Sequence, residues 1–258
     1  MPHGKAPFVS DPGDRLTPWL RERMEQAGYA PREAHVGPRR RDMPESVLPA
    51  AAGLDLRRVP SPDGIAATLA LEAELPVGCP LLVRCEAAPV DLMAARTERP
   101  ARVIGFSLFG LLHDGMAVEL TPATRATPEA LRRATMFFES VGFRVETLPC
   151  GSWPIYPRVM SMIINEAAVA VGENVAAASD IDEAMKLGAG YPVGPLALAD
   201  RIGLDEVLDI LEGLQREYGD DRYRPALLLR RLVRAGYTGQ AVGRGFHLYE
   251  EAELGTHI

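Results

Sequence analysis

What most constrains this chain is the punctuation of its C-terminal part. From residue 151 onward, glycine and proline recur where helices begin and end, and the stretches between carry apolar side chains at helical spacing. Over 158–172 the side chains are apolar almost all round (Val159, Met160, Ile163, Ile164, Ala167, Ala168 and Val171 among them), which predicts a buried central helix. Ser179, with Asp182 and Glu183 behind it, is an N-cap signature for a short helix ending at Leu187, with Gly188 and Gly190 as stop signals. Pro195 behind Gly194 opens the next helix and Gly203 closes it. A fourth covers 205–218, with Val207, Leu208, Ile210, Leu211 and Leu214 on one face and Gly219 as its stop. A fifth covers 225–235, closed by Gly236. Five helices and no convincing strand predict an all-α module over 151–258.

Residues 1–150 have another texture. They hold 17 of the 22 prolines, with 18 basic against 19 acidic side chains, whereas 151–258 hold five prolines, 10 basic and 16 acidic side chains. Pro149, Gly151 and Pro154 cluster at the change and mark a domain boundary at about residue 150. Strand patterns at 8–10, 80–85, 103–106, 118–120 and 143–148 alternate with helix patterns at 17–27, 64–75, 90–96 and 127–141. Thr17-Pro18 and Thr127-Pro128 read as helix starts, Gly28 and Gly142 as stops, and 30–62 receives no assignment. Such alternation predicts a parallel α/β sheet. The expected fold is therefore α/β followed by all-α, with domains at 1–150 and 151–258.

Several function classes drop out. The net charge of −7 argues against a nucleic-acid partner. No apolar run approaches the ~20 residues of a membrane span, and the N-terminus lacks an apolar export segment. Cys79, Cys85 and Cys150 are too few and too irregularly spaced for a disulfide framework or a zinc site, so no metal is expected and a reducing cytoplasm fits. Arg39-Arg40-Arg41, in a Pro-rich stretch, and Arg57-Arg58 could meet phosphates but read as solvated faces.

The stretch 180–195, with Asp180, Asp182, Glu183, Gly188, Gly190, Pro192, Gly194 and Pro195, resembles the signature of the 3-hydroxyacyl-CoA dehydrogenase C-terminal domain. So do Asn165-Glu166 before it, Asp200, Gly203 and Asp205 after it, and Thr238-Gly239 with Gly243-Arg244-Gly245-Phe246 near the end. The resemblance covers about 150–249. It implies a shortened Rossmann-like domain followed by a helical dimerisation domain, a homodimer, an acyl-CoA-type substrate, NAD as cofactor and a place in fatty acyl-CoA metabolism. The signature residues themselves read as fold and dimer contacts rather than chemistry.

Chemistry belongs to the first domain, where the resemblance thins. The family opens its first strand into a G-x-G-x-x-G turn whose bare backbone meets the NAD pyrophosphate. Here the corresponding stretch is Ser10-Asp11-Pro12-Gly13-Asp14-Arg15, so Gly13 and Arg15 are the cofactor-binding candidates. Pro12 removes an amide donor, and Asp11 and Asp14 add negative charge, which disfavours a dinucleotide. By the same alignment, 80–88 matches the family's Asn-Thr-Ser-Ser substrate turn without its hydroxyls, leaving Glu86 as the candidate there. The general-base histidine falls at Ser107, and Glu119 keeps the place of the glutamate that orients it. The family's Asn falls at Pro157, with Arg158 retained as a substrate-binding candidate.

Oxidising a secondary alcohol by hydride transfer needs a group of near-neutral pKa to take the hydroxyl proton. Serine has none, and losing such a base costs ~10²–10⁴-fold in rate. His113, with Asp114 beside it, is the one nearby substitute, in a stretch that reads as a loop. Three readings follow: a family member with weakened or lost activity, an active dehydrogenase using His113 and Glu119, and a non-catalytic acyl-CoA-binding or dimerisation partner.

Overall fold

A computed structural model describes residues 4–9, 16–33, 52–58 and 62–250. The chain divides into two compact units. One comprises the chain up to Leu108 together with Leu112–Pro154, the other Phe109–Leu111 and everything from Ile155. The seam thus falls at Pro154 and Ile155, four residues beyond the composition change, and a short piece of the first half joins the second unit.

The first unit is a seven-stranded sheet with helices on both faces. Its elements are β1 (Gly4–Val9), α1 (Leu16–Gln26), β2 (Tyr29–Glu33), β3 (Gly53–Asp55), α2 (Pro62–Glu74), β4 (Leu81–Arg84), α3 (Val90–Ala94), β5 (Val103–Ser107), β6 (Ala117–Pro122), α4 (Pro128–Ser140) and β7 (Arg144–Thr147). The strand order is β2-β1-β3-β4-β5-β6-β7, so the winding reverses between β1 and β3. Every neighbouring pair is parallel except β5–β6. The expected all-parallel sheet is corrected at that pair. Nine residues with no helix join β5 to β6, and a parallel return needs a crossover of a dozen or more.

Both faces of the sheet are buried at β3, β4 and β5. Leu82, Ile104, Phe106, Val118 and Leu120 pack under α1 and α4 with Leu20, Met24, Phe137 and Phe138. Leu81, Val83 and Val103 point the other way, onto Leu71 and Leu75 of α2 and Val90 and Met93 of α3. This burial on alternate sides explains why β4 and β5 read as continuous apolar runs. Helix α4 starts as its sequence says, with the Thr127 hydroxyl accepting from the Ala130 amide at 3.2 Å. Helix α1 starts earlier than expected, at Leu16, so Thr17 and Pro18 lie inside its first turn.

Charged side chains are used as joints. Arg102 is buried and donates to the Glu72 carbonyl at 2.8 Å and the Pro76 carbonyl at 3.2 Å, capping the end of α2. The Glu72 carboxylate accepts the amides of Glu98 and Arg99, both at 3.0 Å.

The second unit holds α5 (Ile155–Gly172), α6 (Ala178–Ala189), α7 (Pro195–Ile202), α8 (Leu204–Tyr218) and α9 (Leu227–Arg234). Helix α5 is central, packed by α7, α8 and α9. It is not buried all round as its composition predicts. Met160, Ile164, Ala167 and Ala168 face inward, while Ile155 and Val159 are about half exposed, at 56% and 49%. Asn165 ties it to the start of α9, accepting from the Ala226 amide at 2.7 Å and donating to the Arg224 carbonyl at 3.0 Å. Helix α6 begins at Ala178 with Ala177 as its N-cap, so Ser179 is inside the helix and caps nothing; it runs past Gly188 and stops at Gly190. Helix α9 begins two residues beyond the expected proline.

The glycines of the signature have a plain cause. Asp182 accepts the Leu196 and Ala197 amides at 2.8 and 2.9 Å at the start of α7, and a Cβ on Gly194 would lie 2.2 Å from the Asp182 side chain. A Cβ on Gly245 would lie 1.9 Å from the Asp200 carboxylate. Each carboxylate locks a backbone turn that only glycine can bring so close.

Candidate active site

In open α/β sheets ligands bind beyond the carboxyl ends of the strands, where the winding reverses. The residues available there end β3, β4 and β5. Strand β3 ends at Asp55, whose carboxylate holds Arg57 through Nε at 2.8 Å and accepts from the Thr68 hydroxyl on α2. Strand β4 ends at Arg84, which donates from Nε to Glu86 Oε2 at 3.2 Å and from Nη1 to the Leu56 carbonyl at 3.4 Å. Between them lies a crevice lined by Asp55, Arg57, Val83, Arg84, Ala88 and Met93. The Arg57 guanidinium is 14% exposed and pinned, so the reading of Arg57-Arg58 as a solvated face is corrected at Arg57.

The predicted catalytic residues sit one strand further along. Ser107 ends β5, is 3% exposed, and stands opposite Glu119 of β6 in the antiparallel register. The fold therefore brings this pair together. Cys85, beyond the end of β4, is fully enclosed, and burial, with the Glu86 and Glu119 carboxylates, pushes its thiol well up. It is a small packed side chain, not a nucleophile.

The other candidates are placed elsewhere. His113 is exposed in the β5–β6 loop, where its Nδ1 lies 2.9 Å from the Asp114 carbonyl oxygen and the Asp114 carboxylate pairs with Arg23. The fold does not bring His113 and Asp114 into the proposed dyad. Glu86 is 1% exposed and faces inward: Oε1 accepts the Leu108 amide at 3.0 Å, Oε2 meets Arg84, and its carbonyl accepts the Trp153 indole at 2.9 Å. Arg158, in the helical unit, donates to the hydroxyls of Tyr218 and Tyr223 and stacks over both rings. Gly13, Arg15 and Arg39-Arg40-Arg41 lie outside the described residues. Among the described residues no group of three or more His, Cys, Asp or Glu is placed to hold a metal ion, and no helix is long and apolar enough to cross a membrane.

Sequence reasoning passed over two residues at this edge. Asp55 was legible as a carboxylate two positions before Arg57, a spacing that puts both on one side of an extended strand. Glu33 ends β2 beside Phe8 of β1, about 20 residues after Gly13, where dinucleotide folds carry the acid that binds a ribose hydroxyl.

Residues 155–249 match the family described as 3-hydroxyacyl-CoA dehydrogenase, C-terminal domain. The helical unit resembles that C-terminal domain along nearly its whole length. Beyond it, the chain is 41% identical over 163 residues to a probable 3-hydroxybutyryl-CoA dehydrogenase of Bacillus subtilis, covering 63% of this chain and 57% of that relative. It is 37% identical over 164 residues to the 3-hydroxybutyryl-CoA dehydrogenase of Bradyrhizobium diazoefficiens, covering 64% and 56%. The chain thus spans little more than half the length of these dehydrogenases. In fold it resembles the crystal structure of (S)-3-hydroxybutyryl-CoA dehydrogenase from Ralstonia eutropha, with TM-score 0.68, 29% identity, and 78% of this chain and 71% of that one covered. The architecture is that of the 3-hydroxyacyl-CoA dehydrogenases, a Rossmann-like sheet followed by a helical domain.

The NAD of that family finds a poor match at the described edge. The crevice encloses about 10 Å³ of free space, room for about one water. Its two guanidinium groups are already committed to Asp55 and Glu86, and a buried carboxylate, Asp55, lines it. The described residues lining this crevice do not fit a dinucleotide.

Proposed function

We propose that this chain is a 3-hydroxyacyl-CoA dehydrogenase-like protein of fatty acyl-CoA metabolism whose own oxidoreductase activity is weakened or lost. The observation that carries the reading is Ser107, held opposite Glu119 where the alignment puts the family's base and its orienting carboxylate. A hydroxyl of ordinary pKa cannot take a proton from an alcohol at neutral pH, and Glu119 has no imidazole across the strand pair to orient. The active-enzyme alternative needs His113 beside Glu119, but its exposed ring bonds the next residue's backbone. What the scaffold retains is a helical domain with exposed apolar side chains, Ile155, Val159, Leu187 and Leu227, which supports a homodimer or partner-pairing role, and the family resemblance adds an acyl-CoA-type ligand and the cytoplasm.

NADH titration followed by fluorescence, run beside acetoacetyl-CoA turnover, tests the reading. The expected result is turnover at least ~10²-fold below that of an active relative, with acyl-CoA alone raising the melting temperature. Tight NADH binding with turnover like a relative's overturns it.

A further inference from the structure

The last described turn of the helical unit is held by two buried carboxylates and one imidazole. Asp200 on α7, 2% exposed, accepts the amides of Phe246 and His247 at 2.8 and 2.9 Å and the Tyr249 hydroxyl at 3.0 Å. Asp182 on α6, 6% exposed, accepts the two amides that begin α7 and stands 2.9 Å from His247 Nε2. The same segment closes on itself, with Gly239 and Arg244 exchanging backbone hydrogen bonds at 2.8 and 3.1 Å and Gly245 donating to the His247 carbonyl at 2.9 Å. Residues 239–249 thus form a strap fastened to α7 by Asp200 and to α6 through one side chain, His247.

That side chain is the part of the fastening whose ordinary pKa, 6.5, lies nearest neutrality. Its ring is 24% exposed, so solvent protons reach it. The charged groups acting on it are Asp182 from α6 and Asp200 from α7, and Tyr249 of the strap, itself near Arg201 of α7, shares Asp200 with it. We propose that His247 is a pH-sensitive clasp: protonated, it locks the strap across α6 and α7 by pairing with Asp182 beside the Asp200 carboxylate; neutral, it leaves the strap to open more often. The neutral ring keeps a donor for Asp182 and loses the charge, and charge-assisted hydrogen bonds are about twice as strong as neutral ones.

The direction follows from the surroundings. The hydrogen bond to Asp182 holds His247 above its ordinary value of 6.5; burial opposes this, and the charges of Asp182 and Asp200 add to it. A raised folded value means that the stabilisation is complete below 6.5 and is lost as pH rises through the folded pKa. Asp200, pushed up by burial, works in the same sense at lower pH, because its ionisation costs more in the folded chain. Tyr249, pushed up by burial and by Asp200, stays a neutral donor throughout.

Hydrogen exchange of the full chain, corrected for intrinsic rates, reads the strap directly. Between about pH 6 and about pH 9 the Phe246 and His247 amides are expected to open about tenfold more often for each unit by which folding raises the His247 pKa. His247→Gln, which keeps a donor and cannot charge, is expected to show no such step. Equal wild-type protection across this range, or an unchanged step in His247→Gln, overturns the proposal. Should that variant not fold, the imidazole titration of the wild-type chain by NMR replaces it. Its midpoint must coincide with that of strap opening, and a mismatch overturns the proposal equally.

Discussion

The two units of this chain use buried charge in different ways. In the helical unit, Asp182 and Asp200 each face a glycine-flanked backbone turn, and their spacing to Gly194 and Gly245 is fixed by a carboxylate filling the room a side chain would take. In the sheet unit, the buried carboxylates of Asp55, Glu86 and Glu72 also accept backbone amides, but each is paired besides with a guanidinium, of Arg57, Arg84 and Arg102. A carboxylate set against a glycine turn demands glycine at one position and an acid at another, a pattern that reads in sequence more readily than a charge pair does. A strong motif therefore marks the half of the molecule where geometry is tightest, and it says little about where a reaction would occur.

Mutations can break or sharpen that contrast. The largest effect is expected from Arg102→Ala. It strands the buried Glu72 carboxylate and uncaps α2, at about 3–5 kcal/mol, read as a lower denaturation midpoint of the sheet unit. Asp200→Ala removes the acceptor of two amides and a hydroxyl and should cost the helical unit about 3 kcal/mol; a cost below that of Arg102→Ala but well above surface noise is the sign of a backbone lock. Gly194→Ala, a single methyl, is expected to cost about 1–3 kcal/mol, because the new atom meets Asp182 and not open space. Thr127→Ala should cost about 1 kcal/mol through loss of the α4 cap. His113→Ala should fall within about 0.5 kcal/mol of wild type and leave any residual turnover unchanged; a loss of turnover here would restore the dehydrogenase reading.

How much was legible follows the same division. Helices α7 and α8 are read within a residue because Gly194-Pro195, Gly203 and Gly219 punctuate them. Strand β2 was missed because Pro31 argues against a strand, yet β2 is the sheet edge, where a missing donor costs no ladder bond. Strand β3 has three residues and no pattern to read. The β5–β6 reversal was hidden because both strands look alike in either direction, and only the absence of a helix between them decides it. At the candidate site, Ser107 and Glu119 were placed by alignment, and their pairing across the strands is a property of register. That His113 bonds Asp114 and that Glu86 turns inward depend on side-chain directions that spacing alone does not contain.

One feature of the sheet unit reaches into the laboratory. Trp19, on α1, and Trp153, its indole anchored on Glu86, are the chain's two tryptophans, and both belong to that unit. Intrinsic indole emission consequently reports first on the sheet unit, while far-ultraviolet dichroism weighs the helices from Ile155 on heavily. Overlaying the two optical signals during unfolding would tell whether the halves come apart together or in turn, with no label attached.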